Sequence, residues 1–285
     1  MTVQQVTLPG EIVKKSNALV RSRVNITNIQ ASRILATLIA NIRPDEKDFI
    51  EPYHLDIKTF LPNDSGKSYT EIRAVCRELA KSFAELEMED SVDGVVLIES
   101  PFFSRLVYKK GKIEALFNLS VRKELLALQG YFTKYNLIDY LKLPSIYSQR
   151  IFEILKSWDD KPEITLTIKS LHETLNTPDS LRSDFAQFRR RVLEKAHKDI
   201  MEHTSVSYEW EPIKKGRSVV EIRFIFSKKR ALPIAQKKED DAKEKQRAKN
   251  NAAFKTAATC LKERGPACGG GHQKESICKV CRKIR

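Results

Sequence analysis

The sequence predicts an α+β protein in which one arrangement, three helices followed by a strand pair, is used twice and precedes a basic, Cys-rich C-terminal tail. Three observations predict it. The chain has 285 residues, 41% of them hydrophobic, which suits roughly two domains with cores of their own. The apolar residues switch from helical to alternating spacing at two places along the chain. Beyond residue 227 apolar periodicity stops, and 237–250 is almost entirely charged or polar.

The first copy begins with a helix from Ile26 to Ile42, where Ile26, Ile29, Ile34, Leu38 and Ile42 follow helical spacing and Pro44 ends the pattern. Tyr53 to Phe60 predicts a short helix, closed by Pro62 and the turn-forming Asn63-Asp64-Ser65-Gly66. A longer helix follows, with Ile72, Cys76, Leu79, Phe83 and Leu86 on one stripe. Val92 to Glu99, Phe103 to Lys109 and Lys112 to Asn118 are rich in strand formers. They are divided by Pro101 and by Lys109-Lys110-Gly111-Lys112, as a hairpin or small sheet requires. Val121 to Leu143 reads as helical and is expected to join the copies or pack across their interface, with Pro144 at the boundary.

The second copy repeats the order. Ile146 to Trp158 is amphipathic, Glu163 to Ile168 reads as a strand, and Ser170 to Leu175 as a short helix turned by Thr177-Pro178-Asp179. From Ser180 to Glu202 a helix is expected to bury Leu181, Phe185, Phe188, Val192, Ala196 and Ile200. Ser205 to Trp210 and Ser218 to Phe226 flank Lys214-Lys215-Gly216-Arg217 as a second strand pair. Helices followed by a strand pair are the order of a winged helix-turn-helix. The expected organisation is therefore an arm at 1–11, a first winged-helix domain with connecting helices at 12–143, a second at 144–228, and a largely disordered basic tail at 229–285.

The net charge is +14, from 51 Lys and Arg against 37 Asp and Glu, so a polyanionic partner is expected. The segment 228–285 alone holds 17 Lys and Arg against 6 Asp and Glu, which is +11 of that total. No run of about 18 apolar residues exists, and no apolar segment precedes a cleavage site at the N-terminus, so no membrane association and a cytoplasmic location are expected.

Cys76 stands alone in the first half, whereas Cys260, Cys268, Cys278 and Cys281 crowd the tail. Cys268, His272, Cys278 and Cys281 form a C-x3-H-x5-C-x2-C string, with Cys260 as a further ligand. Thiolates and an imidazole suit zinc, and glycines 269–271 let the chain wrap tightly. The gap from Cys268 to Cys278 is shorter than the usual spacing between knuckles, so a basic tail with reduced thiols is the other reading.

Four stretches, taken in two pairs, resemble a known family. Ile12 to Val20 (IVKKSNALV), leading into Ser32 to Ile42 (SRILATLIANI), resembles the opening of the iteron-binding replication initiators of theta-replicating plasmids. Tyr147 to Trp158 (YSQRIFEILKSW) with Asp184 to Ala196 (DFAQFRRRVLEKA) resembles the opening of their second winged-helix domain. The resemblance covers about residues 10 to 228 and rests on order and spacing more than on any one motif. It implies two tandem winged-helix domains. The second reads the major groove of direct repeats at a plasmid origin, and the first adds DNA contacts and a dimerisation surface. It further implies a homodimer in equilibrium with monomer, repression of the chain's own gene by the dimer, and the host initiator and replicative helicase as partners. A winged-helix transcription regulator without an initiation role is the alternative.

A reading helix buries one stripe and turns the other to base edges. With Leu181, Phe185, Phe188 and Val192 inward, Ser183, Gln187 and Arg190 lie outward, flanked by Arg182, Arg189 and Arg191. Gln pairs with adenine and Arg with guanine, so Gln187 and Arg190 are the base-reading candidates, while Arg189 and Arg191 suit phosphates. The solvated face of any amphipathic helix has the same pattern; three consecutive Arg beside a basic wing favour DNA. In the first domain Arg73 and Arg77, with Lys109, Lys110 and Lys112 at the wing tip, are candidate phosphate contacts, as are Lys214, Lys215 and Arg217 in the second.

Catalysis is not expected. Nicking needs a His-hydrophobic-His metal site, whereas His197 and His203 are six apart and His54 and His172 stand alone. Gly66-Lys67-Ser68 lacks the upstream glycine of a phosphate-binding loop.

Overall fold

A computed structural model of the chain describes residues 12–43, 46–56, 66–90, 94–126, 128 and 130–226. The tail, with its cysteines and His272, lies outside the described residues. No described helix is long and apolar enough to cross a membrane.

The first domain opens with strand β1 (Ile12–Ser16), helix α1 (Asn17–Arg21) and the short strand β2 (Arg23–Val24). Helix α2 (Ile29–Ala40) starts where Asn28 accepts hydrogen bonds from the N–H groups of Gln30 and Ala31. Strand β3 (Tyr53–Asp56) and helix α3 (Gly66–Ala80) follow. Strands β4 (Phe83–Asp90), β5 (Gly94–Pro101), β6 (Phe103–Lys109) and β7 (Lys112–Phe117) then make two hairpins. The domain closes with α4 (Arg122–Leu125), β8 (Phe132–Asn136) and α5 (Leu137–Lys142).

Several of these elements differ from the sequence reading. Tyr53 to Asp56 is a strand rather than a helix: Tyr53 and Leu55 are buried in alternation and the backbone pairs with Lys112 to Ala115, a distant partner that overrides local propensity. Phe83 and Leu86 leave α3 for β4, because Lys81 and Ser82 turn the chain and the Ser82 hydroxyl donates to the Leu79 carbonyl. The expected helix from Val121 to Leu143 is interrupted by β8, which pairs along its whole length with β1. The first domain has two sheets instead of one strand pair: β3-β7-β6, which holds the wing, and β2-β4-β5, whose β4-β5 hairpin is inserted between α3 and the wing.

The second domain comprises α6 (Ile146–Lys156), β9 (Glu163–Thr167), α7 (Ile168–Thr174) and α8 (Asp179–Arg182). Helix α9 (Phe185–Phe188), a π-helical stretch (Arg189–Glu194) and α10 (Lys195–His203) then run on from one another. Strands β10 (Tyr208–Lys215) and β11 (Ser218–Phe226) finish the domain, with β10 extending past the Trp210 expected from sequence. Its sheet, β10-β11-β9, has the same order as β6-β7-β3: the last strand in sequence lies at the centre, beside the strand that follows α6 here and α2 in the first domain. The twofold use of one pattern is thus a property of the fold.

The domains share a buried face. Glu153 on α6 accepts from Lys15 Nζ on β1 (2.6 Å), Tyr135 OH on β8 (2.5 Å) and Arg150 Nη1 (2.7 Å). Burial alone raises the Glu153 carboxyl, but Lys15, Arg150 and the hydrogen bonds from Lys15 and Tyr135 outweigh it and hold the group below the usual carboxylate range.

Candidate nucleic-acid interface

The outward surface of the second domain is organised by the segment from Asp184 to His203. The sequence suggests one helix from Ser180; the structure breaks it at Ser183 and Asp184. Asp184 has extended backbone and its Oδ1 accepts from the N–H groups of Ala186 (2.9 Å) and Gln187 (3.1 Å), so a new helix starts there. Asp184-x-x-Gln187 is the spacing of a capping box, a signal that marks this start in the sequence.

Behind the helix, Phe188, Val192, Ala196 and Ile200 are fully buried and recur every four residues. An ideal α-helix would rotate such a stripe off the core by about 40° per step. The wider turns of the π-helical stretch, with Leu193 also buried, fit that spacing and keep the stripe inward. The His172 ring packs 4.3 Å from Phe188, and its Nδ1 lies 2.8 Å from Thr177 Oγ1. Burial, and then the charge of Arg182, hold His172 below its ordinary pKa.

The opposite face carries Arg189, Arg190 and Arg191, all exposed, with Gln187 half-buried beside them. Arg190 Nη2 donates to Gln187 Oε1 (2.9 Å). That bond occupies the amide oxygen Gln187 would use towards the amino group of adenine, so the pair as it stands presents donors and suits the acceptors of guanine. Arg189 is held by Glu194 (2.8 Å) and lies 5.8 Å from the Trp210 ring centre, which fixes it between helix and wing. Arg191 has no ion-pair partner among the described residues.

Two of the sequence candidates sit elsewhere. Ser183 lies in the break, its hydroxyl bonded to the Asp179 carbonyl (3.1 Å), rather than on the reading face. Arg182 stays exposed but folds back to donate to the carbonyls of Thr177 (2.8 Å) and His172 (3.4 Å), which ties α8 to the turn after α7. Its role in the structure is positional, and only the tertiary fold reveals it.

The wings place matched basic turns on both domains. Lys110 and Gly111 both have positive φ (50° and 76°), as a type I′ hairpin requires, with Lys109 and Lys112 flanking them. In the second domain Gly216 (φ 64°) takes the first central position between Lys215 and Arg217, the type II′ arrangement. Lys109, Lys110, Lys112, Lys214, Lys215 and Arg217 are all exposed. On α3, Arg73 and Arg77 are exposed at spacing four, whereas Glu78 is spent on α2, accepting from the N–H groups of Thr27 and Asn28.

Comparison with known proteins agrees with this geometry. The model described as "Initiator Replication protein, WH1" matches residues 12–156, and "Initiator Rep protein, WH2" matches 167–226. No curated protein matches the chain. Among solved structures, one described as "Crystal structure of Pi initiator protein in complex with iteron DNA" is similar in fold, with a TM-score of 0.61 at 19% identity, covering 77% of this chain and 98% of that one. The first match runs on through α6 and the second begins at the end of β9, and the two in this order show that the chain belongs to the family of initiator replication proteins.

Proposed function

We propose that the protein initiates plasmid replication by binding direct repeats of double-stranded origin DNA. The second domain docks the face of Gln187 and Arg190 in the major groove, while Arg191 and the basic turns of both wings rest on phosphates. One observation carries this reading: a helix with a wholly buried back presents consecutive arginines beside a lysine-rich wing, in a chain of the initiator family. The fold's likeness to an initiator held on iteron DNA supports it. Hydroxyl-radical footprinting on the repeats beside the gene tests it: protection should recur once per repeat, and uniform protection of any duplex would contradict it.

The same proposal includes self-association and further partners. Strand β5 is an edge strand whose Val95 (68%), Leu97 (59%) and Ile98 (36%) are exposed, and an unpaired apolar edge invites a strand from a second copy. Leu97→Lys should shift the chain towards monomer in analytical ultracentrifugation. The dimer represses the chain's own gene, and the monomer on the repeats recruits the host initiator and helicase in the cytoplasm. Cys268, His272, Cys278 and Cys281 hold a zinc ion, a reading that rests on the sequence alone.

A further inference from the structure

The segment from Lys15 to Arg23 carries three basic side chains beside the proposed DNA-binding domain, yet all three are used on protein. Lys15 is buried against Glu153. Arg21 stacks 3.4 Å from the Trp158 ring centre and donates to the Ser157 carbonyl (2.6 Å) and hydroxyl (3.1 Å). Arg23 donates to Asn176 Oδ1 (3.1 Å), and the Thr174 hydroxyl returns a bond to the Arg21 carbonyl (3.2 Å). The segment is a strap from the first domain across α6 and α7 of the second.

Glu153 is the centre of that strap. Its carboxylate, with a side chain 1% exposed, takes one hydrogen bond from each of three elements, while Arg150 Nη2 continues to the carbonyls of Val20 (3.1 Å) and Ser22 (2.8 Å). From the same helix Ser148 donates to Asp199 Oδ2 on α10 (2.5 Å), the continuation of the reading helix. A chain of directional bonds therefore runs from the first domain, through α6, to the helix that faces DNA. An apolar interface of the same area tolerates sliding; three donors converging on one buried carboxylate accept one arrangement.

We infer that Glu153 is a positioning residue for DNA binding, which fixes the second domain's reading helix relative to the first domain's basic wing so that both reach one site together. The inference rests on the DNA-binding reading above. Two contact surfaces held rigidly on one frame act as a bivalent binder; released, the weaker one contributes through a much lower effective concentration. Glu153→Gln keeps the shape but leaves Lys15 and Arg150 without the shared charge.

A mutant cycle tests the inference. Lys109, Lys110 and Lys112 are changed to Ala together in the wild-type chain and in Glu153→Gln, and binding to repeat DNA is measured for all four proteins. In the wild-type background the wing change should weaken binding by about 10-fold or more, and in Glu153→Gln by less than about 2-fold, because an unlocked wing already contributes little. Equal losses in both backgrounds overturn the inference. Should Glu153→Gln fail to melt cooperatively, the triple change Lys15→Met, Arg150→Met and Glu153→Met removes all three buried charges together, and the same cycle decides. Dyes on Lys109 and Lys214, read without DNA, separate this inference from the DNA-binding reading. Their distance distribution should be narrow in wild type and broad in Glu153→Gln, and an unchanged distribution overturns the inference whatever the DNA result.

Discussion

Replacing Lys214, Lys215 and Arg217 with Ala together should flatten the salt dependence of DNA binding while leaving sequence preference intact. All three are exposed around the Gly216 turn, and none has an ion-pair partner among the described residues. The turn itself depends on Gly216, whose positive φ is untouched by the substitutions, so the wing keeps its shape. Each phosphate neutralised contributes about 0.9 to the slope of log affinity against log salt, so losing three lowers the slope by up to about 2.7. Between 50 and 200 mM salt that corresponds to a loss of affinity roughly 40-fold smaller than the wild type suffers. Fluorescence anisotropy on repeat and scrambled duplexes across that range measures both quantities. Phosphate contacts carry no base information, so the ratio of repeat to scrambled affinity should stay constant. An unchanged slope, or a collapse of that ratio, would refute the assignment of this wing to the backbone.

Other expectations follow from the same geometry. Asp184→Ala removes the acceptor of two backbone N–H groups and should lower stability by about 1 kcal/mol, whereas Asp184→Asn should restore it; chemical denaturation distinguishes them, and equal stability of the Ala variant would exclude the cap. The folded-state pKa of His172 is depressed by burial and then by Arg182, so the unfolded chain takes up its proton first on acidification. Its contribution is present above the unfolded value, about 6.5, and is lost as pH falls from there through the folded value. Denaturation midpoints should drop over that interval in wild type and less in His172→Gln, and identical profiles would contradict the account. The chain purified without chelator should carry one zinc, lost in Cys278→Ser plus Cys281→Ser; metal-free wild type would exclude the site.

The amphipathic helices were legible because their signal is local. The stripes at Ile34 and Leu38, Ile151 to Leu155, and Phe188 to Ile200 place α2, α6 and the reading helix from spacing alone. The wing turns are marked by Lys-Lys-Gly followed by a cation, and both are turns in the fold. Short strands were not legible where the partner is remote. Nothing near Ile12 to Ser16 announces its pairing with Phe132 to Asn136, and Tyr53 to Asp56 is a strand only because β7 lies beside it. At the site, the exposure of Arg189, Arg190 and Arg191 follows from helical phase. The bonds of Arg182 do not, since its acceptors are the Thr177 and His172 carbonyls of a turn that only the tertiary fold brings within reach. The strap from Lys15 to Arg23 is invisible for the same reason: in sequence its cations resemble any basic, DNA-seeking stretch.

The Arg190→Ala variant, titrated on repeat DNA and on a scrambled duplex of equal length, separates base reading by this helix from backbone contact. Arg190 faces solvent from a helix whose back is buried, in register with Gln187, and is assigned to base edges. Its loss should weaken binding to the repeats by about 1–3 kcal/mol and leave the scrambled duplex nearly unaffected. Equal loss on both duplexes, or none on either, would contradict the claim that this helix reads the repeats.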